Sequence, residues 1–158
     1  MQQKYNYVVA DASCFILLDK VDMLFVLHEL FSRIVTTPEV ALEFGKPLPS
    51  WISIKKVKDI NFQKAISLEV DAGEASAISL AIELQPSLLI LDDLKGRKLA
   101  NRLNLAFTGT LGIFLKAKQT GIIPKLRPVF DKIQATNFRI APKLYAALLK
   151  EVSEWIDM

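Results

Sequence analysis

Two patterns alternate along the chain: short apolar runs, often β-branched, and longer stretches whose apolar positions recur at helical spacing. The first run, Tyr7-Val8-Val9-Ala10, stops at Asp11. Ser13 is placed to cap the helical stretch that follows. A second helical pattern covers residues 21–30, with Leu24, Leu27 and Phe31 at helical spacing. Ile34-Val35-Thr36 reads as a second short strand. Thr37-Pro38 then starts a helix, because proline is favoured in the first turn. Residues 52–57 predict a third strand, after a surface loop at Gly45-Lys46-Pro47-Leu48-Pro49-Ser50. Gly73 precedes a long amphipathic helix reaching about Leu84. Leu88-Leu89-Ile90-Leu91 is the clearest buried strand, a continuous apolar run, and Asp92-Asp93 follow it directly. A helix through Arg97 and Leu103, a strand at Ala106-Phe107-Thr108 and a helix from Thr110 come next. Two more helical patterns fill the tail from about Lys125.

Strands alternating with helices predict an α/β fold with a parallel sheet covered on both faces. No repeat, low-complexity tract or Gly/Ser linker divides the chain, so residues 1–158 read as a single domain. In such sheets ligands bind outside the carboxyl ends of the strands. The residues just after each strand are therefore the informative ones.

Several of those residues are acids. Asp11 follows the first strand, and Asp92 and Asp93 follow the strand at 88–91. Glu39 and Glu43 share a face of the helix after the second strand. Glu74 lies in the first turn of the helix after Gly73. Four segments can thus deliver carboxylates to one end of the sheet. Clustered carboxylates repel and raise one another's pKa, and a divalent cation relieves that repulsion. Magnesium prefers such oxygen ligands and keeps several waters, and one or two such ions activate water against a phosphodiester. A plainer reading of each acid is a helix cap, a turn residue or part of a solvated face.

The rest of the composition narrows the classes. Half of the 158 residues are hydrophobic (51%), enough for a real core. No apolar run approaches the roughly 20 residues of a membrane span, and the polar start at Met1-Gln2-Gln3-Lys4 does not resemble a signal peptide. The single cysteine, Cys14, and the single histidine, His28, provide no disulfide and no zinc set, which fits a reducing cytoplasm. Net charge is +3 and the pI is about 9.0, compatible with a polyanionic partner. Lys95, Arg97, Lys98 and Arg102 crowd the helix after Asp93, either as a solvated face or as phosphate-positioning groups, Arg97 foremost. Lys116, Lys118, Lys125 and Arg127 would extend such a track. A dinucleotide-binding fold is disfavoured because no G-x-G-x-x-G follows a strand. A phosphoacceptor receiver domain is disfavoured because its acidic pair near the first strand and its late lysine are missing.

The ordered set of motifs resembles one family. Val8-Val9-Ala10-Asp11-Ala12-Ser13 resembles the opening strand and first acid of PIN domains. Pro38-Glu39-Val40-Ala41-Leu42-Glu43 resembles the segment of their second acid, here Glu43. Gly73-Glu74-Ala75-Ser76-Ala77-Ile78 resembles the helix of the third, with Glu74 where most of the family has Asp. Leu89-Ile90-Leu91-Asp92-Asp93 with Gly96-Arg97 and Ala100 resembles the segment of the fourth. Gly109-Thr110-Leu111-Gly112 resembles a prokaryotic subgroup. The resemblance implies a three-layer α/β/α sandwich with a mostly parallel central sheet. It also implies a Mg2+- or Mn2+-dependent endoribonuclease with Asp11, Glu43, Glu74 and Asp93 as catalytic acids. Metal ligands would be Asp11, Glu74 and Asp92 or Asp93: family spacing favours Asp93, and proximity to the strand favours Asp92. Ser13 would support the first acid, and Arg97, Lys95 and Lys98 would contact RNA phosphates. Similarity to VapC-like toxins implies a homodimer held by an antitoxin protein. The alternative is a PIN-like module that binds nucleic acid or regulates without catalysis.

Overall fold

The computed structural model describes residues 4–156. Five strands form one sheet: β1 (Tyr7–Ala10), β2 (Ile34–Thr36), β3 (Ile52–Ile54), β4 (Ser87–Ile90) and β5 (Ala106–Thr108). Their order is β3-β2-β1-β4-β5 and every pairing is parallel. β1 and β4 are neighbours in a register that sets Ala10 opposite Ile90, so Asp11 and the Asp92-Asp93 pair leave the sheet at the same rim. The ladder runs one step past the strand end, since the Asp11 amide donates to the Ile90 carbonyl at 3.1 Å.

Helices α1 (Ala12–Lys20) and α2 (Phe25–Leu30) lie between β1 and β2, and α3 (Pro38–Phe44) between β2 and β3. Next come α4 (Ile60–Ile66) and α5 (Ala72–Glu83), then α6 (Leu94–Arg102) after β4. The chain ends in α7 (Thr110–Gln119), α8 (Arg127–Gln134) and α9 (Pro142–Glu151). Among the described residues no helix is long and apolar enough to cross a membrane. Helices α4, α5 and α6 pack together on one side of the sheet, while α1 and α2 both touch α7 on the other, the expected α/β/α sandwich.

Helix α5 is central to the packing. Residues 73–81 are all buried, and Ala75, Ser76, Ala77, Ser79 and Ala81 keep its surface small enough for contact with β1, β4, α3, α4 and α6. Two threonines at the exit of β2 lock this arrangement. Thr36 Oγ1 donates to the Ala10 carbonyl at 2.8 Å. Thr37 Oγ1 meets Ser76 Oγ at 2.7 Å and accepts from the Val40 amide at 3.1 Å, capping α3. Both threonines are fully buried.

Some boundaries differ from the sequence pattern. Strand β3 stops at Ile54, because Lys55 turns away after its amide bonds the Thr36 carbonyl. Strand β4 starts at Ser87 and ends at Ile90, leaving Leu91 as a buried residue beyond it. Ser13 does not cap α1, since Asp11 occupies the N-cap position and Ser13 lies inside the first turn. Helix α4 escaped the sequence reading altogether; its Asp59 cap and the Glu83 carboxylate, which accepts from the Lys58 and Asp59 amides at 2.9–3.0 Å, fix it from outside its own pattern.

The tail carries an apolar stripe, Leu144, Tyr145, Leu148, Leu149 and Val152, that is unevenly covered. Leu149 is fully buried and Tyr145, Leu148, Val152 and Trp155 pack on the core, whereas Leu144 is 45% exposed. Glu154 fastens the end of the tail by accepting from the Leu126 and Arg127 amides at 2.7 and 2.9 Å.

Thr37 carries both a cap and a buried link between helices. Thr37→Val keeps the volume, removes both bonds and leaves Ser76 short of a partner. Urea unfolding should show a loss of about 1–3 kcal/mol; an unchanged midpoint would mean that α3 is held by its apolar contacts alone.

Candidate active site

The acids meet at the carboxyl end of the sheet, and each reaches it for a local reason. Asp11 is the N-cap residue of α1 in extended backbone, and it is only 4% exposed. Asp71 caps α5 by accepting from the Glu74 amide at 2.8 Å. Glu43 comes from the last turn of α3. Asp92 and Asp93 follow β4, and consecutive side chains of extended backbone diverge. Asp92 points to α7, where its two oxygens accept from the Thr110 amide at 2.7 Å and from Thr110 Oγ1 at 2.6 Å. Asp93 points the other way and caps α6 through the Gly96 amide at 3.2 Å.

Close approach of backbone makes room for these groups. A Cβ on Gly73 would lie 3.4 Å from Glu43 Oε2 and 3.6 Å from Asp71 Oδ1, so both carboxylates lean over that glycine. A Cβ on Gly96 would lie 2.8 Å from Leu91 Cδ2 and 2.9 Å from Glu74 Oε2. Glu74 therefore packs into the α5–α6 seam only because residue 96 has no side chain. In the Gly109-Thr110-Leu111-Gly112 motif, Thr110 holds Asp92, and the Thr108 side chain fills the space a Cβ on Gly112 would need.

Electrostatics divides the acids into two groups that share a member. The carboxyl of Asp11 is pushed up to about 7 by burial above all; a hydrogen bond from the Ala12 amide opposes this, and the charges of Glu43, Asp71 and Asp92 raise it further. Glu43 is also raised, by burial and by Asp71. Glu74, only 6% exposed, is raised well above the usual carboxylate range by burial, by its hydrogen bond to Asp71, and by the charges of Asp71 and Asp93. Glu74 is thus pushed toward its neutral form beside Asp71 and Asp93, and Asp71 acts on both groups.

The residues expected from sequence fall as follows. Asp11, Glu43 and Asp92 act on a common space. Glu74 and Asp93 form the adjoining pair. Glu39 does not join them; it receives a hydrogen bond from Gln63 and ties α3 to α4. Ser13 Oγ is buried without a hydrogen-bond partner. Lys95 lines an open cleft with Asp71, Glu74 and Asp93. Arg97 lies on the opposite side, its guanidinium 5.3 Å from the Phe107 ring centroid, and Lys98 is exposed in neither cleft. The sequence reading passed over Asp71. Its signal was there: Asp71-Ala72-Gly73-Glu74 has the acid-x-x-Glu spacing of a capping box.

A divalent cation fits the chemistry of this donor set. Asp11 Oδ1 is buried with no hydrogen-bond partner, and so is Glu74 Oε2. A hard cation is what an unpartnered carboxylate oxygen among other acids lacks. Among the described residues, no three acids, histidines or cysteines are drawn together tightly enough to hold an ion as they stand. Coordination would draw in the Asp11, Glu43, Asp71 and Asp92 side chains.

The sequence of this chain matches, over residues 7–154, the model of the DUF3368 family, a PIN domain. The chain belongs to the PIN-domain family. No curated protein is significantly similar to it. The PIN fold is a nuclease fold with nucleic acid as its substrate class, and PIN nucleases in general use divalent metals. The five-stranded parallel sheet is the PIN arrangement, and its acids occupy the rim where α/β sheets bind ligands.

The raised carboxyls give this PIN domain a specific pH response without metal. The native state holds protons on Asp11 and Glu74 that the unfolded chain has released. Their contribution to stability is full below the ordinary carboxylate values of 3.8 and 4.5, and that of Asp11 is lost as pH rises through about 7. Stability in chelator should therefore fall from pH 5.5 to pH 8 by on the order of a few kcal/mol, seen as a lower melting temperature. A melting temperature that holds level or climbs over that interval would contradict the burial of these acids.

Proposed function

We propose that this PIN domain is an endoribonuclease that hydrolyses RNA phosphodiesters with Mg2+ or Mn2+. The observation carrying this reading is the buried, unpartnered Asp11 Oδ1, raised in pKa among the charges of Glu43, Asp71 and Asp92. Asp11, Asp71 and Asp92 would hold the ion, with Glu43 at the open side. When bound, such a cation activates a water and stabilises charge on the phosphodiester. The chain's own residues do the rest. Thr110 fixes the Asp92 carboxylate with two hydrogen bonds, so that it is oriented before any ligand arrives. Glu74, raised by burial and by Asp71 and Asp93, stands behind Asp71 and lessens the repulsion around it. Arg97 and Lys95 stand on the two flanks and offer positive charge to the RNA backbone on either side, with Lys98 further along α6.

The likeness to VapC-like toxins extends this reading to a cytoplasmic toxin that forms a homodimer and is held by an antitoxin protein. Exposed leucines around the acids support a covered site: Leu68 is 89% exposed and Leu94 65%, and both line the cleft of Asp71, Glu74 and Asp93.

Asp11→Asn separates this reading from a non-catalytic module. It keeps the shape and removes the most frustrated charge. In chelator at pH 8 the variant should be at least as stable as the parent, by on the order of 1 kcal/mol. It should lose most of the stabilisation that magnesium or manganese confers on the parent. RNA cleavage should disappear while salt-sensitive RNA binding persists. Parental cleavage and parental metal response in Asp11→Asn would leave Asp11 as a cap alone and favour the non-catalytic module.

A further inference from the structure

A second cleft opens beside Asp92, away from the Glu74 side. It encloses about 420 Å³ between the start of α7 and the α8–α9 connection. That size lies within the ~300–1,000 Å³ range of small-molecule sites. Asp92 and Arg97 stand at one side, and Phe138, Ile140, Leu144 and Leu148 supply apolar wall. The two ends therefore differ in character: charged beside the acids, apolar beneath α9.

The far wall is built rather than loose. Gln134 pairs with Ile140 in both directions, its amide nitrogen donating to the Ile140 carbonyl at 3.3 Å and its oxygen accepting from the Ile140 amide at 3.2 Å. Arg139 donates to the carbonyls of Gln134, Thr136 and Phe138. That arginine is occupied in holding the connection in shape. Arg97 is differently placed. It lies over the Phe107 ring and, among the described residues, makes no ion pair, so its charge lines the cleft with no carboxylate paired to it.

Resting on the ribonuclease reading, we propose that this cleft receives the nucleobase of a nucleotide flanking the scissile phosphate, and sets base preference at that position. A phosphate at the acids places its neighbour at the mouth of the cleft. Arg97 meets the intervening backbone charge, and the base enters between Phe138 and Leu144. A base stacked in a duplex cannot turn into a recess of this kind. The substrate this site takes is therefore single-stranded or bulged RNA, whose bases are free to leave the stack. Phe138 and Leu144 are specificity-determining residues and touch no reacting atom.

The test uses the full chain with manganese and a random-sequence single-stranded RNA pool. Leu144 is 45% exposed, so Leu144→Trp fills the cleft without disturbing the core. The variant should change the base favoured at one position flanking the cut and raise KM about tenfold or more, the scale expected when base stacking is lost, with kcat little changed. Ile60→Trp, at an equally exposed site outside the cleft, should match the parent. Parental base preference and KM in Leu144→Trp would overturn the proposal. A second measurement does not need cleavage. In chelator, the four nucleoside 5′-monophosphates are titrated while the methyl resonances of Ile140, Leu144 and Leu148 are followed. Shifts at the Ile140 and Leu148 methyls that are absent in Leu144→Trp support the cleft even if the parent cuts no RNA, in which case the ribonuclease reading alone fails. Methyls that respond to none of the four would overturn it.

Discussion

Burial of Asp11 is the constraint around which this domain is arranged. A carboxylate taken out of water at the end of a strand loses hydration that only hydrogen bonds or a counter-charge replace. Here one oxygen has no hydrogen-bond partner, and three of the surrounding charges, Glu43, Asp71 and Asp92, carry the same sign. Nothing about packing requires an acid there. The neighbouring positions Ala10 and Ala12 are fully buried and small. A fold that keeps the acid must gain its stability elsewhere. The buried residues 73–81 of α5 and the two threonines that lock β1, α3 and α5 supply it.

The second acidic group shows how repulsion is contained. Glu74 is strongly disfavoured as a carboxylate, first by burial and then by Asp71 and Asp93, and its neutral form does not repel those neighbours. Its longer side chain matters for this. It reaches across the α5–α6 seam, to within contact of Gly96, while its own amide is held by Asp71. The departure from the common Asp at this position is thus matched by a glycine on the facing helix.

Much of this was legible in the residue pattern. The run at Leu88-Leu89-Ile90-Leu91 and the run at Tyr7-Val8-Val9-Ala10 identify two central strands because strands buried on both faces carry no polar alternation. Their adjacency, and hence the convergence of Asp11 with Asp92, follows from topology rather than from either run. Glu39 and Glu43 were legible as a pair on one face of the helix after β2, and the resemblance of Pro38–Glu43 to the family's second-acid segment chose Glu43. Asp71 was not singled out because a cap and a site residue look alike in sequence, and only the fold brings the cap of α5 against both acid groups. Helix α4 was illegible for a related reason: its N-terminus is fixed by Glu83, which lies in another helix.

The Asp92-Asp93 pair shows why spacing alone could not assign the fourth acid. Adjacent residues in extended backbone project to opposite sides. One therefore serves the α1–α7 side of the sheet and the other the α5–α6 side. Asp92 reaches the Asp11 group and is clamped by Thr110, while Asp93 is divided between the α6 cap and Glu74. A ligand must present free lone pairs in a fixed direction. Asp92 is oriented by two donors yet keeps acceptor capacity, because a carboxylate has about four lone-pair sites. Asp93 has the weaker anchor, one amide at 3.2 Å, and faces a neutral acid. The geometry of the strand exit, rather than distance along the chain, therefore gives Asp92 the place beside Asp11 and leaves Asp93 to hold the helix that carries Arg97.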